Sequence, residues 1–381
     1  MLQGERIGVC RRFRPTDKEM NEPMNYVGID VHKQSFQAAV VDQTGSCLEE
    51  FRLGNNREGI EQLIKRVGYY GSFQAVVESS ANYWTKLFDV MQENHISIKL
   101  SNPYKTKAIA EAKVKTDKID ARTLAQLLRA DLVAECYVPS KENREKRSLI
   151  RERASLTKIR TEHRNKIHDL LAKYEHTHDF SDLFGKEGMT WLKTLKLSQY
   201  DQIILDSNLR LLESLDAEIT GISTEIAKLA INHTDENQQN QIRLLLGLKG
   251  IDYYGAMILL SEISDINRFT SPEKLVSWAG LAPRTHQSGE TSYNGHITKK
   301  GSSRVRWILG QAAQTARLYD PKFKTFYDRI AAKKGHNKAL VATMRKMLVV
   351  IWTILTKNEP YSGEDQELTE RKYKRLIRIS S

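Results

Sequence analysis

Four carboxylates in the first third of the chain have the types and spacing that hold divalent cations against a phosphodiester: Asp30, Glu78, Asp117 and Asp120. Asp30 ends the apolar run Tyr26-Val27-Gly28-Ile29-Asp30, and Glu78 ends Phe73-Gln74-Ala75-Val76-Val77-Glu78. Both runs read as strands, so both acids should emerge at the carboxyl edge of a sheet. Asp117 and Asp120 are three apart in Lys115-Thr116-Asp117-Lys118-Ile119-Asp120-Ala121-Arg122, which places them on one helical face. Brought together, such groups repel. Two unit charges about 4 Å apart cost about 4 kcal/mol at an effective dielectric of about 20. A cluster of this kind persists with a counter-cation, and all-oxygen ligation selects Mg2+ or Mn2+ over zinc. Taken singly, each acid has an ordinary reading at a strand end or helix start, and Asp117 could be only a helix cap.

A second group lies far downstream. Trp278-Ala279-Gly280-Leu281-Ala282-Pro283-Arg284 leads into Thr285-His286-Gln287-Ser288-Gly289-Glu290, then into Gly295-His296-Ile297-Thr298-Lys299-Lys300-Gly301-Ser302-Ser303-Arg304-Val305-Arg306. The stretch reads as loop-rich and basic. Arg284, Lys299, Lys300, Arg304 and Arg306 could bind phosphate and stabilise a pentavalent transition state. Ser288-Gly289 reads as an ordinary turn, and a serine there is a weak nucleophile without activation. His286, two residues away, is a candidate acid–base partner for it.

The elements that must position these residues follow from pattern. Residues 25–55 read as three strands joined by short turns, an antiparallel meander. Residues 56–135 then alternate: a helix about 57–69, a strand 73–78, a helix 83–94, a strand 96–100, and helices about 103–111 and 117–130. Strands first antiparallel and then alternating with helices give the order of a ribonuclease H-like fold. From 141 to 173 the chain is strongly charged and helix-prone, either a solvated face or a helix that tracks a phosphate backbone. Residues 203–230 carry a heptad with Leu205, Leu212, Ile219 and Ile226 at a, and Asn208, Leu215, Ile222 and Leu229 at d. This is a coiled-coil seam between copies or an intramolecular helical hairpin. Near Leu246-Gly247-Leu248-Lys249-Gly250 a Gly-x-x-Gly turn between two helices resembles a helix-hairpin-helix, whose amides commonly hold a DNA phosphate. The C-terminal part is therefore expected to be mostly helical. Past residue 316 more cations interleave with aromatics, and residues 362–381 read as a polar, mobile tail.

Composition sets the partner class. The 381 residues carry 59 Lys and Arg against 47 Asp and Glu, a formal net charge of +12, with a sequence pI near 9.4. Such a field raises the local concentration of a polyanion, nucleic acid first of all. The three cysteines, Cys10, Cys47 and Cys136, have no paired spacing. That argues against a zinc site or disulfide scaffold and fits a reducing cytosol. No run of about eighteen apolar residues is present, so no membrane span is expected. Arg11, Arg12 and Arg14 precede no apolar stretch, so residues 1–23 read as a non-core extension rather than a signal peptide.

The ordered set of motifs resembles the 110 family of insertion-sequence transposases, the bridge-RNA-guided DNA recombinases, over about residues 24–360. Residues 24–140 look like their RuvC-like domain with an Asp-Glu-Asp-Asp quartet, 141–235 like a helical, coiled-coil region, and 241–360 like their second catalytic domain, leaving 361–381 as the tail. The resemblance implies that Ser288 is a nucleophile that attacks a DNA phosphodiester and forms a phosphoserine link. Asp30, Glu78, Asp117 and Asp120 with Mg2+ would assist. It further implies a homo-oligomer, a dimer assembling to a tetramer on DNA, with a composite active site shared between protomers. A structured guide (bridge) RNA would specify donor and target DNA, in a prokaryotic cytoplasm at the nucleoid. The rivals are a metal-dependent junction nuclease that acts by hydrolysis, and a basic nucleic-acid-binding protein whose acids are structural. One departure is local: Glu78 is followed by Ser79-Ser80-Ala81 where relatives often have a small-Thr-Gly turn.

Overall fold

In a computed structural model, the protein is described over residues 24–109, 116–174, 176, 178–231, 236–288 and 291–381, without the side chains of 236, 285–288 and 291–294. The expected extension 1–23 and Gly289 lie outside the described residues. The described residues form two compact units, one ending at residue 139 and the other running from 140 to 381.

The first unit contains β1 (Asn25–Val31), β2 (Ser35–Val41), β3 (Cys47–Gly54), α1 (Arg57–Gly68), β4 (Phe73–Glu78), α2 (Trp84–Glu93), β5 (Ile98–Ser101), α3 (Pro103–Ile109) and α4 (Asp117–Arg129). The five strands make one sheet in the order β3-β2-β1-β4-β5. β1, β2 and β3 pair antiparallel, whereas β4 lies parallel to β1, and β5 to β4. Alternation assigns the two faces of β1 and β4. Val27, Ile29, Val31, Ala75 and Val77 are buried with Ile60, Leu63 and Val67 of α1 and Leu87, Phe88 and Met91 of α2. On the other face, Val76 packs with Leu124 and Leu128 of α4. Gly28 sits under that helix: a Cβ there would lie 1.9 Å from the Ala121 carbonyl oxygen and 2.4 Å from the Ala125 nitrogen. The missing side chain lets the α4 backbone rest directly on the central strand.

The second unit contains α5 (Lys141–Leu171), α6 (Lys186–Thr194), α7 (Gln199–Ile231), α8 (Glu236–Leu246), α9 (Tyr253–Ile263), α10 (Pro272–Trp278), β6 (Pro283–Ser288), β7 (Thr291–Ile297), α11 (Ser303–Tyr319), α12 (Pro321–Lys334), α13 (His336–Lys357) and α14 (Gln366–Ser380). It is mostly helical. The stretch read as loop-rich is instead a β-hairpin, with Thr285 opposite Asn294 and Ser288 opposite Thr291.

The heptad of α7 is used inside the chain. Leu205, Leu212, Ile219 and Ile226 are all buried, and α7 packs along α5. Asn208, the polar d position, is joined to His163 Nδ1 of α5 at 2.7 Å and donates to the Ile204 carbonyl. The charged helix α5 is neither simply solvated nor wholly free for phosphate. Arg147 donates twice to the Ser261 carbonyl, and Arg151 forms a two-pronged pair with Glu262 at 2.7 and 2.9 Å. Arg153 donates to Ser223 Oγ and covers the Tyr254 ring, while Arg160 pairs with Asp216 at 2.7 Å. These arginines bind α5 to α7 and α9.

The expected mobile tail is corrected as well. Residues 366–380 form α14, capped by the Asp365 side chain on the Leu368 amide. A sparse stripe at helical spacing, Thr369, Lys372 and Leu376, faces inward, and Leu376 is fully buried. The Lys372 ammonium donates to the carbonyls of Leu246, Leu248 and Ile251 at 2.7–2.9 Å, tying α14 to the Gly-x-x-Gly turn. Within that turn Gly250 has φ +90° and a Cβ would meet the Ala312 carbonyl at 2.5 Å, so its bareness serves packing on α11. Among the described residues α13 is long and apolar enough to cross a bilayer. Its Met347, Leu348 and Ile351 are, however, fully buried in the unit's core, and Arg345 and Lys346 interrupt it.

Candidate functional site

The sheet register places the first two acids side by side. Ile29 is paired with Val77 across parallel strands, so the next residues, Asp30 and Glu78, leave β1 and β4 together. Both lie on the face that α4 covers, by the same alternation that puts Gly28 and Val76 there. Asp117 and Asp120 occupy the first turn of α4, where the helix N-terminus favours negative charge. The Thr116 hydroxyl accepts from the Ile119 amide at 3.3 Å and caps that turn. Contact between α4 and Gly28 thus sets the height of two acids over the other two.

All four carboxylates line one cavity of about 660 Å³, together with His32, Thr116, Lys107 and Tyr83. His32 Nε2 stands 3.3 Å from Asp30 Oδ2 and 3.3 Å from Asp117 Oδ2. One ligating atom from each of these three residues lies within 4.8 Å of the others. The Ser80 hydroxyl donates to Glu78 Oε1 at 3.2 Å, so the turn that departs from the family pattern still orients this acid. Burial pushes the Asp30 carboxyl above the usual carboxylate range; His32 pulls it down, and Asp117, Asp120 and Glu78 each add to the rise. The acids therefore sense one another's charge, as the spacing argument required.

His32 was missed in the sequence. Its signal was the alternation Asp30-Val31-His32 at a strand end, which returns the imidazole to the acidic face. The donor set fits a divalent cation: carboxylate oxygens on three separate elements and one imidazole.

The downstream residues belong to the second unit. Ser288 closes β6 at the hairpin turn, and His286 pairs in register with Tyr293. The hairpin rises from a tight crossing of two segments. Gly280, with φ +72°, would place a Cβ 2.5 Å from the Lys300 carbonyl, and Gly301, with φ +118°, one 1.9 Å from the Trp278 carbonyl. The Lys299 amide donates to the Gly280 carbonyl at 3.0 Å, and the Thr298 amide to Ala282 at 2.9 Å. Arg306 straps this crossing through the carbonyls of Ala279 and Gly301 at 3.1 and 3.0 Å, a positioning task its charge alone did not suggest. Arg284, Lys299 and Lys300 are exposed, and Arg304 is half-buried.

Comparison with known proteins matches residues 27–176 to a family model described as a transposase. Residues 242–328 match a second, described as the transposase IS116/IS110/IS902 family. The chain is similar to a pilin gene-inverting protein of Moraxella bovis, 27% identical over 354 residues that cover 90% of this chain and 99% of the relative. It is similar to the transposase for insertion sequence element IS1111A of Coxiella burnetii, 24% identical over 95% of this chain and 96% of that one. A putative transposase of Sinorhizobium fredii is 30% identical over 55% of this chain and 50% of its own length.

Proposed function

The chain belongs to the IS116/IS110/IS902 family of transposases and is a DNA-recombining enzyme; from that premise we propose that it mobilises its element by metal-dependent strand cleavage and exchange through a covalent serine–DNA link. The observation that carries the reading is the convergence of Asp30, Glu78, Asp117 and Asp120 on one cavity. The strand order β3-β2-β1-β4-β5, with its parallel second half, supports assigning residues 24–140 to a RuvC-like domain.

In this reading the four carboxylates would hold Mg2+ or Mn2+. A bound divalent cation would supply charge neutralisation on the phosphoryl oxygens. Ser288 supplies the attacking oxygen: its hydroxyl gives up its proton and forms a new P–O bond, the DNA P–O bond breaks, and the departing DNA oxygen takes up a proton to leave as a free hydroxyl. Exchange runs the same step backwards, with another strand's hydroxyl displacing the serine. Arg284, Lys299 and Lys300 on and beside the hairpin position the phosphate, while Arg306 holds the hairpin base. The acids lie in one unit and Ser288 in the other, which suits a composite site made by a homo-oligomer on DNA. The net charge of +12 suits a guide RNA as a further partner that specifies the target.

The test is a denaturing gel of the full-length protein incubated with Mg2+ and labelled DNA carrying the element ends. A protein–DNA adduct that is absent with Ser288→Ala supports exchange. Clean hydrolysis by Ser288→Ala at the wild-type rate refutes the serine and leaves a metal-dependent nuclease.

A further inference from the structure

A cavity of about 480 Å³ lies between one face of α5 and the first turns of α11, lined among others by Thr157, Lys158, Thr161, Ser303, Arg304 and Trp307. Its size falls within the roughly 300–1,000 Å³ of small-ligand sites. The core does not account for the indole. Val305, Leu309 and Ala312 turn the buried face of α11 inward with no exposure, whereas Trp307 is 42% exposed. Arg304 precedes Trp307 by three residues and so shares its helical face. Across the cavity, Thr157, Lys158 and Thr161 share a face of α5 by the same spacing. The Lys158 side chain is 81% exposed, with its ammonium 3.7 Å from Glu162 Oε1, and no acid is among the residues that line the cavity.

We propose that this cavity binds an unpaired nucleotide of a nucleic-acid strand, with its base stacked on Trp307 and the adjoining phosphates held by Arg304 and Lys158. A flat, half-exposed indole beside two cations matches a π-face joined to an anion. Base stacking on an aromatic side chain works with any base, because every base has such a face. A duplex keeps its base faces stacked inside, so only an unpaired segment can present one here. Thr157 and Thr161 have donated their hydroxyl hydrogens to the Arg153 and Thr157 carbonyls, at 2.8 and 3.0 Å. They therefore offer the ligand acceptor lone pairs, suited to a base amino group or a sugar hydroxyl. RNA and DNA share this chemistry, and the sugar distinguishes the two sources.

The experiment is fluorescence anisotropy of the full-length protein with labelled 12-mers of oligo-uridine and oligo-deoxythymidine and with a blunt DNA duplex. EDTA is present throughout, so that the readout is independent of the acidic quartet and of Ser288 chemistry. Trp307→Ala is expected to weaken binding of at least one single strand about 10-fold while changing duplex binding less than about 2-fold. Trp307→Phe keeps a stacking face and should stay within about 3-fold of the parent protein. Arg304→Gln should lessen the salt dependence of single-strand binding by about 0.7 in the log–log slope. Tighter, Trp307-dependent binding of the uridine oligomer names RNA as the source, and of the thymidine oligomer, DNA. Equal losses on duplex and single strand, or none on either, overturn the proposal. If Trp307→Ala does not fold, photocrosslinking of the parent protein to 5-bromouracil oligomers decides: an adduct at Trp307 supports the site, and adducts only elsewhere refute it.

Discussion

Gly28→Ala would test how the metal site is positioned without touching any of its ligands. The new Cβ would lie 1.9 Å from the Ala121 carbonyl oxygen, against the 3.0 Å that real Cβ atoms keep. Both obstructing groups belong to the α4 backbone, so no rotamer change relieves the clash, and α4 must move off the sheet by about 1 Å. Overpacking of this kind costs about 1–3 kcal/mol, and here the upper end is expected because backbone must give way. The same movement carries Asp117 and Asp120 away from Asp30 and Glu78. A misplacement of about 1 Å in a reacting constellation costs about 100-fold in rate. The assay is urea denaturation of the full-length protein alongside Mg2+-dependent cleavage of element-end DNA. A variant that loses about 2–3 kcal/mol but keeps a cooperative transition, while cleaving about 100-fold more slowly, fits the argument. A variant with unchanged stability and unchanged cleavage would show that α4 is not held by this contact.

The remaining expectations concern the buried charges and the metal. Arg151→Ala leaves Glu262, 4% exposed, without its two-pronged partner, and should cost about 3 kcal/mol by denaturant melt; the paired change Arg151→Met with Glu262→Met should recover most of that loss. Burial pushes Lys372 down from the ordinary lysine value to about 8. Between about 8 and the unfolded value of about 10.4 the unfolded chain binds the extra proton, so stability should rise with pH in that window. The slope is at most about 1.4 kcal/mol per pH unit, and Lys372→Met should flatten it when melts are compared at pH 7.5 and 9.5. Mg2+ or Mn2+ at about 100 times its dissociation constant should stabilise the parent protein by about 2.7 kcal/mol, read as a rise in melting temperature that Asp30→Asn abolishes; an equal rise in both proteins would remove Asp30 from the site.

Much of the first unit was legible in the chain, because its signals are local. Apolar runs of period two, the turn residues between them and the Thr116 cap each act over a few residues, and they place Asp30, Glu78, Asp117 and Asp120 at element ends. His32 was legible in principle and overlooked, since a histidine after an aspartate carries no signal until the strand's facing is known. The second unit misled wherever charge was read as exposure. The arginines of α5 look solvated in sequence, yet Arg147, Arg151, Arg153 and Arg160 hold that helix to its neighbours. Likewise α14 has too few apolar residues to look ordered, and it docks through Leu376 and the Lys372 ammonium.

By itself, then, the sequence determined the residue types of the acidic quartet, the order of strands and helices that carries it, and the polyanion that a net charge of +12 attracts. Only the tertiary structure decided that the α7 heptad packs on α5 within the chain, that Arg306 straps the hairpin base, and that Trp307 faces an open cavity. The difference is physical. Period and capping arise between residues a few positions apart, whereas the partner of a long side chain is chosen by the three-dimensional packing of residues more than a hundred positions away, as Arg151 and Glu262 show.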